Sequence, residues 1–216
     1  MHQKTSLLLA AGLVSLAAPA QKTQYGVFAG AQLTNAHYVL HGRQQKTEAK
    51  PGAHFGVMLS IPFENRLVFT PSLYYSLKGF KVALTDTSSL PGVDAVANDI
   101  TLHSVELAPL FTIYMGKGTA RPFVQFGPTV DFAFYGRERL VLNTGRRVER
   151  QVHFSNNDYG HITAALLVRL GYETRKGVLF GAHYSHGVGS LNNNDFGPTI
   201  KHRIFGVSVG KYLTHR

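Results

Sequence analysis

The sequence predicts an all-β fold, an eight-stranded antiparallel up-and-down transmembrane β-barrel. Apolar side chains recur at every second position in eight segments, which is the period of a β-strand. The connections between these segments alternate between short and long. No apolar run after residue 20 is long enough for a spanning helix, so any crossing of a membrane must use strands.

Residues 122–135 give the clearest strand, and they are long enough for the ~9–11 residues of a tilted membrane strand. One face of this strand is apolar and largely aromatic: Val124, Phe126, Pro128, Val130, Phe132 and Phe134. The opposite face is small or polar: Gln125, Gly127, Thr129, Asp131 and Ala133. This pattern predicts a strand with lipid on one side, with Phe134 and Tyr135 at an interfacial girdle.

Seven further segments show similar alternation. The eight predicted strands are residues 24–34, 52–63, 67–80, 99–114, 122–135, 159–173, 178–187 and 201–213. Short connections fall at residues 64–66, 115–121 and 174–177, and long polar ones at 35–51, 81–98, 136–158 and 188–200. An up-and-down barrel then has all four long loops at one end, as outer-membrane barrels do.

The polarity of the two faces separates a membrane barrel from a soluble one. On each predicted strand the richer apolar face is continuous, whereas the other face carries Gly, Ser, Thr, Gln, His and a few charges. An apolar outside and a polar inside favour a barrel that faces lipid. The alternative is a lipocalin-like soluble periplasmic binder with the aromatic face turned inward.

The N-terminus has the layout of a secretory signal peptide over residues 1–20, which leaves residues 21–216 as the barrel domain. A short basic start is followed by an apolar stretch at residues 7–16 and by a small-x-small site at Ala18-Pro19-Ala20. The alternative is an N-terminal helix of a cytoplasmic domain. Export also argues against nucleic acid as the partner of a chain with a net charge of +10, and no nucleic-acid motif is present.

Seven polar residues are predicted to form a structural network in the lumen. An eight-stranded barrel is just wide enough inside for side chains to fill it, so buried acids and bases should pair there. The alternative is a transport path through the barrel. The predicted network consists of Glu106, Gln125, Asp131, His161, Arg169, Glu173 and His183.

The sequence gives little support for an enzyme, a cofactor or a metal site. His183, Ser185 and Asp131 are the residue types of a hydrolase triad, but no Gly-x-Ser-x-Gly elbow is present. His183 and His186 are three residues apart and point to opposite faces of a strand, so they should not share a metal ion. We therefore predict a non-enzymatic protein.

The long connection at residues 136–158 is strongly basic. Its cations are predicted to contact the phosphates of outer-membrane lipids or of lipopolysaccharide, surface glycans or an acidic protein. The alternative is an ordinary solvated loop face. The predicted contact residues are Arg137, Arg139, Arg146, Arg147 and Arg150.

Several segments, taken in order, resemble the outer-membrane β-barrel proteins of the Bacteroidetes, the porin-like group that includes PorT-type proteins. The resembling segments are YGVFAG at 25–30, PGAHFGV at 51–57, YSLKGF at 75–80, VELAPL at 105–110, PFVQFGP at 122–128 and GAHYSHG at 181–187. The resemblance implies an outer-membrane location and no catalytic residues. It also implies a role accessory to secretion, gliding or envelope integrity, with secretion-apparatus proteins as partners. A small porin-like channel remains an alternative function.

Overall fold

Ten β-strands make up the regular structure of the described residues. The computed structural model describes residues 23–64, 66–85, 95–116, 118–155, 158–194 and 197–213. None of these residues forms a helix long and apolar enough to cross a membrane. The predicted signal peptide lies outside the described residues. The strands are β1 (Gln24–Leu40), β2 (Arg43–Gln44), β3 (Lys46–Glu64), β4 (Leu67–Ala83), β5 (Ala95–Tyr114), β6 (Arg121–Leu142), β7 (Arg147–Gln151), β8 (Ile162–Glu173), β9 (Val178–Gly187) and β10 (Thr199–Tyr212).

Eight of these strands close into an antiparallel barrel, as predicted. The ring runs β1, β3, β4, β5, β6, β8, β9 and β10, and β10 pairs with β1 to close it. The short strands β2 and β7 extend hairpins on β1 and β6. The strands are staggered around the barrel. If one starts at Asp131 and steps from each residue to its paired residue on the next strand, one full turn of the ring ends on β6 at Arg121, ten residues earlier in the sequence. A closed ring with such a stagger needs tilted strands and leaves no free edge.

The strands are longer than predicted at the end where the long connections were expected, which we call the loop end. The opposite end, with the connections after β3, β5 and β8, is called the turn end. β1 continues to Leu40 and β6 to Leu142, so much of the predicted loops 35–51 and 136–158 is strand. The β1–β2 hairpin turns on His41 and Gly42, which both have positive φ angles, of 46° and 76°. Such a turn matches the twist of the paired strands.

The interior is filled from end to end. A turn-end cluster contains Phe28, Met58, Val68, Tyr74, Ala108, Leu110, Tyr114, Phe123, Leu167, Leu179 and Tyr212. A loop-end cluster contains Ala36, Tyr38, Leu40, Phe80, Val82, Leu84, Ala95, Ile100, Leu102, Leu140, Val152, Tyr159, Leu191 and Ile200. A polar layer lies near the level of Lys78, Glu106 and Asp131, whose charged groups meet inside the barrel.

The outer surface carries an apolar belt around the turn-end half. Its exposed side chains include Val27, Leu33, Phe55, Val57, Leu73, Leu107, Phe126, Val130, Phe132, Leu166, Val168, Leu170, Phe180, Phe205, Val207 and Val209. The predicted apolar faces therefore point outward, which is the polarity of a barrel that faces lipid. The soluble, lipocalin-like alternative does not fit this half of the molecule.

A β-bulge in β6 separates the belt from the loop end. The register with β5 shifts between His103, which pairs with Tyr135, and Ser104, which pairs with Ala133. Phe134 is the extra residue, so the inward positions pass from Ala133 to Gly136. Regular alternation would have turned Leu140 outward and Arg137 inward. The bulge instead places Leu140 in the loop-end cluster and Arg137 on the outer wall.

Candidate functional site

The polar layer of the lumen is organised around Lys78, whose ammonium group is buried between two carboxylates. Its Nζ lies 2.8 Å from Oε1 of Glu106 and 2.7 Å from Oδ2 of Asp131. Tyr74 donates a hydrogen bond of 2.8 Å to the other oxygen of Glu106. These groups come from the inner faces of neighbouring strands, where Tyr74 pairs with Glu106 and Glu106 pairs with Asp131. Each of the three charges of Lys78, Glu106 and Asp131 thus has an opposite charge within hydrogen-bonding distance, as low-polarity surroundings require.

A second group surrounds the buried guanidinium of Arg169. Its Nη1 donates a hydrogen bond of 2.7 Å to Oε1 of Gln125, whose amide nitrogen donates one of 3.1 Å to Thr112. Thr112 is 2.8 Å from the hydroxyl of Thr70 on β4. The guanidinium carbon also lies 5.5 Å from the centre of the Phe28 ring, within cation–π range. These contacts connect side chains from five strands of the barrel, β1, β4, β5, β6 and β8.

Two buried histidines pack edge to face in the same layer. The rings of His54 and His183 are 5.1 Å apart at 81°. Each lies against a glycine of the adjacent strand, because His54 pairs with Gly30 and His183 pairs with Gly206. A Cβ atom at Gly206 would lie 2.5 Å from Cε1 of His183. Glycine at this position therefore makes the space that the His183 imidazole occupies.

The charges of the lumen are balanced. At the turn end, Arg121 lies 3.8 Å from Glu173 and 3.5 Å from the centre of the Tyr114 ring. Among the described lumen residues below the loop-end cluster, the cations are Lys78, Arg121 and Arg169, and the carboxylates are Glu106, Asp131 and Glu173. A lumen that is neutral overall and filled by side chains has the character of a plug.

Six of the seven residues predicted for the lumen are buried inside the barrel, and His161 is not. The buried residues are Glu106, Gln125, Asp131, Arg169, Glu173 and His183. The prediction for His161 was wrong because β8 begins only at Ile162, so strand alternation does not reach it. The exposed His161 ring stacks on Phe132 and Phe154, at 5.4 Å and 4.7 Å, on the outside of the barrel.

The basic residues predicted for one loop are divided among three elements. Arg137 and Arg139 lie on the outer face of β6, Arg147 and Arg150 lie on β7, and Arg146 lies in the turn between these strands. Arg150 is bonded to Glu138, a carboxylate buried at the loop end. Burial, and after it the charge of Glu138, raises the pKa of the Tyr159 phenol well above its ordinary value. Tyr159 therefore stays neutral where it covers the loop-end cluster.

The central member of the network, Lys78, was missing from the predicted set, as were the buried residues Tyr74, His54 and Gln32. The signal for Lys78 was present, because it shares the polar face of its strand with Thr70, Ser72 and Ser76. A cation facing Glu106 and Asp131 is what two buried carboxylates need. No such signal marked Tyr74 in the sequence, because tyrosine occurs on both the inner and the outer face of membrane barrels.

The residue types of a hydrolase triad do not come together. His183 and Ser185 are buried inside the barrel, and Asp131 is bonded to Lys78 and to Thr163. Among the described contacts, no hydrogen bond joins His183 to Ser185 or to Asp131. In the described part of the chain, no group of three metal-ligating side chains is close enough to hold an ion.

Comparison with known proteins identifies the family. The model of the outer membrane protein beta-barrel domain matches residues 19–193, which is most of the chain. The chain belongs to this family. Membership of this outer-membrane family agrees with the outward apolar belt and with the ring of eight strands. No curated protein sequence matches the chain significantly.

Several solved structures of outer-membrane barrels are similar to this family member. Ail of Yersinia pestis, solved with the heparin analogue sucrose octasulfate, is 13% identical with a TM-score of 0.46, over 89% of this chain and 100% of Ail. The outer membrane enzyme PagL is 15% identical with a TM-score of 0.45, over 86% of this chain and 98% of PagL. Neisserial surface protein A is 13% identical with a TM-score of 0.42, over 87% and 96%. Proteins this distant do not transfer an activity or a ligand to this chain.

Proposed function

We propose that the protein is a non-enzymatic surface protein of the outer membrane that acts through its loop end and not through its lumen. The observation that carries this proposal is the filled interior, in which two apolar clusters enclose a charge-balanced polar layer. A filled lumen favours neither a channel nor a catalytic pocket. The barrel then serves as an anchor, and the parts that meet other molecules are those outside the membrane.

The orientation follows from the connections. Outer-membrane barrels place their short turns in the periplasm and their longer loops outside the cell. The loop end of this barrel therefore faces the exterior, with Arg146 in an exposed turn and Arg147 beside it on β7. Guanidinium groups suit the phosphate, sulfate and carboxylate groups of lipids, glycans and acidic proteins. The sequence resemblance to PorT-type proteins adds a role accessory to secretion or to envelope integrity as a further part of the proposal.

Conductance tests the closed lumen. The full chain is refolded into planar phospholipid bilayers, and its insertion is checked by faster gel migration of unheated samples. We expect no current steps above the bare bilayer, because buried side chains of the Lys78 layer and of the two apolar clusters occupy the described lumen. Regular steps in proportion to the inserted protein would overturn the proposal in favour of the small channel.

A charge-matched pair of variants tests the loop end. The full chain in neutral nanodiscs is passed over a sulfated dextran resin. Arg146→Gln/Arg147→Gln removes two loop-end cations, and Arg175→Gln/Lys176→Gln removes two cations from the turn after β8. We expect only the loop-end variant to elute at clearly lower salt. Equal elution of the two variants would mean that net charge, and not the loop end, sets the binding.

Incubation with extracted outer-membrane lipids should leave their masses unchanged, whereas shortened lipids would indicate an enzyme.

A further inference from the structure

A cleft on the outer wall lies between β5 and β6, just beyond the apolar belt. It has a volume of about 280 Å³ and is lined by Asp99, Thr101, His103, Tyr135, Arg137 and Arg139. These residues form two rows side by side, one on each strand. His103 pairs with Tyr135, Thr101 with Arg137 and Asp99 with Arg139. We call this feature the outer-wall cleft. The β6 bulge creates it, because the bulge is what turns both arginines outward.

The height of the cleft matches the headgroup layer of a membrane. Val105 and Phe132 pair on the same outer face, immediately on the turn-end side of the cleft. From Val105 to Thr101 the strand rises ~13 Å at ~3.3 Å per residue. A barrel tilt of ~40° reduces this to ~10 Å along the membrane normal. The polar layer of a bilayer leaflet is about 5–8 Å deep, so the arginines sit at or just above its phosphates.

Aromatic side chains and His103 form the edge of the cleft on its turn-end side. The Tyr75 hydroxyl lies 2.6 Å from Nδ1 of His103, and the His103 ring packs edge to face on Tyr135 at 5.3 Å. Phe134 adds a ring on the membrane side, 6.5 Å from His103. Tyr and other aromatic side chains with one apolar and one polar end collect at the membrane–water interface. This arrangement fixes the level at which acyl chains end and headgroups begin.

The charges of the cleft are only partly paired. Lys50 crosses β4 to bond Asp99 and Thr101, which satisfies that carboxylate. Arg137 and Arg139 share one carboxylate, Glu149, at 3.1 Å each. Three cations therefore face two carboxylates, and the side chains of Arg137 and Arg139 remain more than half exposed. Each guanidinium has five N–H donors, so several of them remain available to an anion.

We propose that the outer-wall cleft binds a phosphate group of an outer-leaflet lipid, whose acyl chains lie on Val105, Phe132 and Phe134. This inference rests on the proposed function, in which the loop end meets anionic molecules at the cell surface. The cleft lies on the outer wall beside the exposed apolar side chains of Val105, Phe132 and Phe134, which favours a lipid over a soluble glycan. Arg137 and Arg139 supply the bidentate donors that phosphate oxygens accept. The belt supplies the apolar surface that a free anion would not use.

The test compares lipids that differ only in phosphate. The full chain in neutral detergent micelles is titrated with bisphosphorylated lipid A and with the same lipid after enzymatic dephosphorylation, and bound lipid is counted by native mass spectrometry. We expect a preference for the phosphorylated lipid of roughly tenfold, the value of one charge-assisted hydrogen bond. Arg137→Gln/Arg139→Gln should reduce this preference to within about twofold. Arg137→Lys/Arg139→Lys, which keeps the charge but not the bidentate geometry, should fall between them.

The control is Arg175→Gln/Lys176→Gln at the turn end, which removes the same charge and should leave the preference intact. Equal binding of both lipids by the natural protein, or equal loss in the control variant, would overturn the inference. Displacement of the lipid by millimolar inorganic phosphate would also overturn it, because the site would then take a soluble anion. All variants must keep the mobility of the unheated natural protein. Failure of this inference would leave the barrel non-conducting, whereas current steps would overturn the proposed function itself.

Discussion

The turn-end and loop-end halves of the barrel are built from the same strands, yet they expose opposite kinds of side chain. On β4, Leu73 faces outward near Ser76 and Lys78 inside, whereas farther along Lys81 faces outward beside the buried Phe80 and Val82. On β5, Val105 and Leu107 are exposed in the belt, whereas Ile100 and Leu102 are buried at the loop end. The turn-end half has the polarity of a membrane barrel and the loop-end half that of a soluble one.

The solvent outside each half explains the difference. Lipid surrounds the turn-end half, so apolar side chains lie outside, and the polar side chains that share its lumen with the turn-end cluster must satisfy one another. Water surrounds the loop-end half, so burial of apolar side chains stabilises the interior in the ordinary way. Period-two alternation shows only that a strand has two unlike faces. Whether the apolar face points inward or outward depends on whether lipid or water surrounds that part of the strand. A single strand here passes through both surroundings.

The polar interior of the turn-end half depends most on Lys78. Lys78→Met should reduce the free energy of unfolding by about 3–5 kcal/mol, because it leaves two buried carboxylates without their cation. The measurement is urea unfolding in phospholipid vesicles, followed by circular dichroism and by the mobility of unheated samples. Lys78→Met/Glu106→Gln/Asp131→Asn, which removes the whole charge set, should recover most of the loss. A single variant as stable as the natural protein would show that these charges are not desolvated.

The loop-end half should behave as a water-soluble core. Phe80 is fully buried in the loop-end cluster, so Phe80→Ala should cost about 3–5 kcal/mol. Lys81→Ala, its exposed neighbour on the opposite face, should change stability by less than about 0.5 kcal/mol. The same urea titration measures both. Equal small effects would mean that β4 ends before Phe80 and that a loop begins there.

The eight barrel strands were predictable from sequence because the belt carries strong, uninterrupted alternation. Residues 178–187 match β9 in full, and residues 67–80 differ from β4 only at the loop end. The loop-end extensions were taken for loops because their outward residues, such as Lys81 and Thr199, are polar or charged. Their inward neighbours, such as Val82 and Ile200, are apolar, so the alternation continues with the apolar side chains inside and the polar ones outside. A pattern search that fixes the apolar face as outward loses the strand at this point.

The candidate site was only partly predictable for a related reason. Alternation placed Glu106, Gln125, Asp131 and Arg169 on the inner face, but it gives no distances between strands. The contact of Lys78 with two carboxylates could be recognised only once the register of the strands was known. The outward turn of Arg137 and Arg139 depends on the β6 bulge. Gly136, directly after Tyr135, is a local sign of that bulge, but a glycine also fits the start of a loop, and the aromatic rings before it fit either phase of the strand.

Two arginine substitutions on one face of β10 sharpen the boundary between the halves. Val207→Arg places a charge in the apolar belt and should cost about 2–3 kcal/mol in vesicles. Thr199→Arg points in the same outward direction eight residues away, beyond the belt, and should be close to neutral. Unfolding in vesicles reports both values. If Thr199→Arg proves as harmful as Val207→Arg, the membrane extends over the loop-end half as well.

Gly206→Ala tests how closely the lumen of the turn-end half is packed. Its new methyl group would lie 2.5 Å from Cε1 and 2.9 Å from Nε2 of His183, so the imidazole must move. We expect a loss of about 1–2 kcal/mol, as overpacked interiors show. Gly118→Ala, in the turn after β5 with no atom closer than 3.5 Å, is the matched control and should be nearly neutral. In Gly206→Ala/His183→Ala, removal of the imidazole should recover most of this loss and leave the backbone oxygen of Ala31, 3.0 Å from the methyl group, as the remaining tight contact. If the methyl group costs as much without the imidazole as with it, the strain lies in this backbone contact and not in the space that His183 fills.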